Sequence, residues 1–87
     1  MKITKVELLP IRPQGGLMAF ACVELDDQFY INSIGVHRRR DGGGYRITYP
    51  TKQIGLQQVT ICHPTQLDLS RDIEQAICRK AEELFGQ

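Results

Sequence analysis

Two hydrophobic periods divide the chain. Over residues 69–84, Leu69, Ile73, Ala76, Ile77, Ala81 and Leu84 recur at spacings of three and four, which puts them on one face of a helix. Asp68 or Ser70 supplies its N-cap, Asp72 and Glu74 bring negative charge to its first turns, and Gly86 stands where a C-cap glycine belongs.

Upstream of the helix the period is two. Residues 2–9, KITKVELL, are rich enough in β-branched positions to read as a strand. Pro10 and Pro13 remove backbone donors, so this strand ends as an edge or a bend, and Gly15–Gly16 mark a turn. Residues 17–25, LMAFACVEL, are apolar on both parities, as in a strand covered on both faces, or by the helix on one and a partner on the other. Asp26–Asp27 form the next turn, and residues 29–37 a third strand, in which Gly35 is a candidate bulge. Gly42, Gly43 and Gly44 make the tip of a hairpin. Residues 45–49, YRITY, alternate cleanly, with Tyr45, Ile47 and Tyr49 on one face and Arg46 and Thr48 on the other. After Pro50, residues 51–57 form a polar loop, and residues 58–62 form a last strand stopped by Pro64. The expected fold is α+β: an antiparallel meander of about five strands with one C-terminal helix packed on it, in a single domain spanning residues 1–87.

Composition adds bounds. A chain of 87 residues buries only about 60–65% of its unfolded surface, and a homodimer adds burial without adding chain. The 41% hydrophobic and 24% charged content is that of a globular domain. No apolar run approaches a membrane span, and the N-terminus lacks the pattern of a secretory signal. The expectation is a cytoplasmic protein with no membrane partner.

The chemistry of catalysis finds little support. Cys22, Cys62 and Cys78 are odd in number and form no CxxC, so they read as free, small hydrophobes rather than a disulfide framework. Cys62 and His63 are neighbours on what reads as a strand end, where they point to opposite faces and share no metal ion. No third group orients them for nucleophilic work. Asp26–Asp27 and Glu82–Glu83 read as a turn and a solvated helix face. The glycine triple has no helix after it and so lacks the setting of a phosphate-binding loop. No catalytic residue, metal site, cofactor or small-molecule substrate is expected.

Charge is more informative. The net charge is +1, yet residues 37–46 carry Arg38, Arg39, Arg40 and Arg46 against Asp41 alone, while residues 68–87 are net −2. Local charge sets the field at a surface. A guanidinium fork donates two hydrogen bonds to one phosphate, and Tyr45 and Tyr49 beside Arg46 offer faces for base stacking. The four arginines are therefore candidate nucleic-acid contacts.

The stretch from Ile3 to about His63 resembles the SpoVG (septation protein) family. The carriers are the opening ITKVEL, the strand-turn-strand AFACVELDDQFYINSIGV, Tyr49-Pro50-Thr51-Lys52, and Cys62-His63-Pro64 before a C-terminal helix. The resemblance implies an antiparallel sheet with a C-terminal helix, association as a dimer, and DNA and/or RNA binding in septation and sporulation control, with no catalytic activity or cofactor. It adds Lys52 and, at the start of the helix near Ser70, Arg71 as candidate contacts. Two departures stand out. Asp72 occupies a position that is often basic in the family, and the loop at Arg38–Arg40 is more basic than usual, which implies either a shift of the binding surface from helix to hairpin tip or a different binding preference. Against a dimeric nucleic-acid-binding regulator stands a protein-interaction module in cell division or envelope control with no nucleic-acid role. A cysteine-dependent enzyme is a third, weaker reading.

Overall fold

A computed structural model describes residues 1–86. Its main sheet is an antiparallel meander of β1 (Ile3–Gln14), β2 (Leu17–Leu25), β3 (Phe29–Arg38) and β4 (Tyr45–Thr48), hydrogen-bonded in that order. The turns follow from their residues. Gly15 and Gly16 both take positive φ between Gln14 and Leu17, the two-residue hairpin geometry that matches strand twist and that glycine adopts without strain. Asp26 and Asp27, also at positive φ, close the next turn through the Gln28 N–H to the Leu25 carbonyl at 2.9 Å.

The helix α1 (Leu67–Phe85) covers one face of this sheet. Ile73, Ile77 and Ala81 pack on Ala19, Ala21, Val23, Leu25, Ile34 and Val36 in the core. Each large aliphatic side chain buried there stabilises the fold by about 1.5–3 kcal/mol relative to exposure. Helix and β4 run in opposite senses: Tyr49 packs toward Ser70 at the helix start, and the Tyr45 hydroxyl donates to the Gly86 carbonyl at its end.

The α+β class and the meander hold, while several local expectations are revised. Residues 51–57 are not a loop. β5 (Thr51–Ile54) and β6 (Gln57–Thr60) form a hairpin of their own, separate from the main sheet, in which every residue is exposed. The last strand thus covers residues 57–60 rather than 58–62. The helix starts at Leu67 with Gln66 at the N-cap and no side-chain cap, so neither Asp68 nor Ser70 caps it; Asp68 lies inside the first turn. Gly86 does sit at the C-cap, its N–H bonded to the Glu82 carbonyl.

Gly35 is not the bulge. The register of β2 with β3 slips between Ala21 and Val23, opposite Ser33, which takes a positive φ of 63°. Gly35 is glycine for space: a Cβ there would lie 2.6 Å from Thr48 Oγ1. β1 runs on through both prolines to Gln14 as an edge strand, where the missing donors face no neighbour. Of the two coverings open to β2, the structure supplies only the helix. Ala19, Ala21, Val23 and Leu25 lie beneath it, whereas Phe20, Cys22 and Glu24 face the other way. Among the described residues no element packs on that open face.

Candidate nucleic-acid interface

The tip between β3 and β4 is held by its own backbone. The Arg39 N–H donates to the Gly44 carbonyl at 2.9 Å, the Gly42 N–H to the Arg39 carbonyl at 3.2 Å, and the Gly43 N–H to Asp41 Oδ1 at 2.8 Å. The one acid of the segment is therefore turned onto a backbone amide. Among the described residues no salt bridge involves any of the four arginines. The β1–β2 turn docks beside them, with the Gly16 carbonyl accepting from the Arg38 N–H at 2.8 Å. Between the two turns lies a cleft of about 490 Å³ lined by His37, Arg38, Arg39, Arg40 and Arg46 over Gly15–Gly16.

The arginines are not equivalent within it. Arg38 is half-buried, not at the exposed tip: its guanidinium lies 5.4 Å from the Tyr45 ring centroid and donates to Tyr45 Oη at 3.2 Å. Arg39 Nε donates to the Tyr45 carbonyl at 3.4 Å. Arg40 and Arg46 are exposed, and among the described residues neither side chain makes a hydrogen bond or salt bridge. His37 pairs with Arg46 across the strands, and its ring contacts Thr48 Oγ1 at 3.0 Å. Burial, then the positive charge of Arg46, lowers the His37 pKa, so at neutral pH it presents a hydrogen-bonding ring rather than a charge.

Lys52 and Arg71 stand apart from this cleft. Lys52 is exposed at the base of the β5–β6 hairpin, and Arg71 is exposed in the first turns of α1. From Arg71 to the helix end beside the tip is roughly 20 Å at 1.5 Å per residue. The two lie toward the far end of β4, so the sequence-derived set divides into a cluster of four and an outlying pair.

The tyrosines expected to stack on bases are unavailable. Tyr45 is 4% exposed under α1 against Phe85, and Tyr49 is half-buried beside Ser70. Burial is the first cause of the raised Tyr49 pKa, and its hydroxyl faces Ser70 without closing a hydrogen bond. Tyr45 lies on the inward parity of β4 and Tyr49, directly after the strand, packs on the same core, so they serve packing. The Tyr45 hydroxyl also ties the tip to the helix end. Tyr45→Phe removes that tie and the Arg38 acceptor together, and is expected to cost about 1 kcal/mol, read as a lowered urea midpoint at unchanged slope.

The cysteines divide by surroundings. Cys78 is pushed up in pKa by burial first, then by Glu74 and Glu82, and its thiol donates to the Tyr45 carbonyl at 3.4 Å. It stays protonated and inert at neutral pH. Cys62 and His63 follow β6 rather than lie on a strand, so the opposite-face argument does not hold; both line an apolar groove of about 280 Å³ with Leu25, Phe29 and Ile73. His63 Nδ1 faces the Pro64 carbonyl at 3.0 Å. Among the described residues no three His, Cys, Asp or Glu side chains converge on a metal site, and no helix is long and apolar enough to cross a membrane.

A sequence model of the SpoVG family matches residues 1–83, nearly the whole chain. The chain belongs to the SpoVG family. No curated protein matches it. Membership associates the chain with septation and sporulation regulation, and SpoVG is not known as an enzyme family. The SpoVG resemblance pointed to Lys52 and Arg71, whereas composition pointed to the arginines. Neither pointed to His37 or Phe20. His37 directly precedes the arginine run, and Phe20 is the one aromatic on the outward parity of β2; those were the available signals.

Proposed function

We propose that the chain is a nucleic-acid-binding regulator, binding DNA and/or RNA as a homodimer. The supporting observation is the cleft that gathers Arg38, Arg39, Arg40 and Arg46 with no acidic partner. Arg40 and Arg46, and the donors that Arg38 and Arg39 do not commit to Tyr45, suit consecutive phosphates, and such contacts carry register rather than sequence. Lys52 and Arg71 extend the positive surface in support. Fluorescence anisotropy of labelled single- and double-stranded DNA and RNA tests this directly. The expected result is affinity that falls with log salt, by about 0.9 log units per phosphate contact on duplex. Affinity indifferent to salt would overturn the mechanism.

The β5–β6 hairpin supports the dimer. An isolated two-stranded hairpin is marginal in water, yet this one carries Ile54, Val59 and, at its turn, a Leu56 with 102% exposure. A second copy covers those side chains. Leu56→Asp is expected to weaken the dimer by a hundredfold or more, because burying a Leu contributes about 1.5–3 kcal/mol and a two-fold interface loses it twice. Sedimentation equilibrium checks this; an unchanged dimer would place the interface elsewhere. The same hairpin favours a second reading, a protein-interaction module in cell division or envelope control. That reading predicts partner capture that survives nuclease, with no nucleic-acid binding by the purified protein.

A further inference from the structure

The open face of the sheet carries a second depression beside the arginine cleft. Phe20, Gly35 and Thr48 are register partners across β2, β3 and β4. One row away, Leu17, His37 and Arg46 line up in the same manner. Rows on one face are roughly 6.5 Å apart. The Thr48 hydroxyl and the His37 ring close over residue 35, leaving no room for a Cβ there, and beside them a shallow slot of about 320 Å³ opens, lined by Leu17, Phe20, His37 and Thr48. That volume is at the low end of small-molecule sites, about 300–1,000 Å³. Phe20 is 38% exposed, on the face opposite the helix. His37 lines both concavities, so slot and arginine cleft adjoin at that residue.

We infer that this slot takes one unstacked nucleobase of a single strand, lying on the Phe20 ring beside the His37–Thr48 pair, while the adjoining phosphates pass along Arg46 into the arginine cleft. This rests on the nucleic-acid reading and assigns it a substrate class. An aromatic face that protrudes from a sheet stacks a base of any identity. Single strands offer bases that can be splayed out, whereas a duplex keeps them stacked. The His37 ring and the Thr48 hydroxyl, already in contact at 3.0 Å, offer polar atoms to the base edge. Charge sets the direction of the strand. On the same face, Tyr30 has its pKa raised by a hydrogen bond with Cys22 first, then by burial and by Glu7 and Glu24 among nearby charges. Glu7 is paired there with Lys5 at 3.3 Å, and with Glu24 the three groups leave that end net negative, so the strand leaves the slot toward Arg46.

The test compares wild type, Phe20→Ala, Phe20→Tyr and the Arg38/Arg39/Arg40→Ala triple variant. The probes are labelled oligothymidine and its duplex with oligodeoxyadenosine, read by anisotropy over a salt series, with circular dichroism to confirm folding. Phe20→Ala is expected to lose roughly 5- to 150-fold in single-strand affinity, with duplex affinity and salt slope unchanged. Phe20→Tyr, which keeps the ring, is expected to stay near wild type and guards against a folding defect in the alanine variant. Single-strand affinity within twofold of wild type for Phe20→Ala, with binding lost in the triple arginine variant, overturns the slot and leaves the cleft. No binding of either probe by wild type at low salt overturns both.

Discussion

Replacing Arg38, Arg39 and Arg40 together by alanine is expected to lower affinity for duplex DNA on the order of a hundredfold at low salt and to flatten its salt dependence. The magnitude follows from about 1 kcal/mol for each exposed charge-assisted contact, at 1.4 kcal/mol per tenfold. The slope of log affinity against log salt should fall by about 0.9 for each contact removed. Three side chains are changed, but the structure gives them unequal weight. Arg38 spends its guanidinium on the Tyr45 ring and hydroxyl, and Arg39 spends its Nε on a backbone carbonyl. Arg40 and Arg46 are exposed, as Arg39 is, but among the described residues they commit no donor. Among single variants, Arg40→Ala and Arg46→Ala are therefore expected to change the salt slope most, whereas Arg38→Ala also lowers stability by loosening the tip from Tyr45. Arg71→Ala, roughly 20 Å away along the helix, reports on the other end of β4. Equal losses for Arg71→Ala and Arg38→Ala would count against a binding surface centred on the tip.

The arginine cluster was legible because charge segregation within ten residues needs no tertiary information: a β-hairpin brings its two ends together by construction. The turns were legible for a related reason, since Gly15–Gly16 and Asp26–Asp27 name the positive φ values that they take. What failed needed a third dimension. Residues 51–57 are polar and short, and without apolar alternation nothing marks two strands that pair only with each other. Tyr45 and Tyr49 alternate with Arg46, so they had to lie on the opposite face; that this face is the helix-covered one fixes their role as packing. β2 is apolar on both parities, and sequence could not say which parity the single helix would leave bare. The slot beside Phe20 depends on that answer together with the register that brings Gly35 and Thr48 alongside it. Lys52 and Arg71 entered through family resemblance alone, and they lie on the β5–β6 hairpin and the first turns of the helix, away from the tip.

Ile77→Ala is expected to destabilise the protein by about 2–5 kcal/mol, a large share of the roughly 4–13 kcal/mol that a chain of this length commands. Periodicity alone put Ile77 and Leu84 on one helical face, and the structure separates them: Ile77 is 0% exposed at the centre of the sheet contact, and Leu84 is 51% exposed. Removing three carbons at Ile77 forfeits their transfer out of water and leaves a cavity that the meander cannot close, because Ala19, Ala21 and Ala81 around it are already small. Leu84→Ala trades modest contact for a better helix former and is expected to stay within about 0.5 kcal/mol. Thermal unfolding at one fixed protein concentration reads both, at about 4–8 °C per kcal/mol for a domain of this size; concentration is held because a dimer's midpoint depends on it. Equal shifts for the two variants would mean that the helix packs about a different axis, and with it that the tie from Tyr45 to the helix end does not hold the arginine tip in place. With the expected inequality, Ile77→Ala examined well below its midpoint should still bind nucleic acid with the wild-type salt slope, since the cleft is built from two turns and not from the core that the substitution hollows.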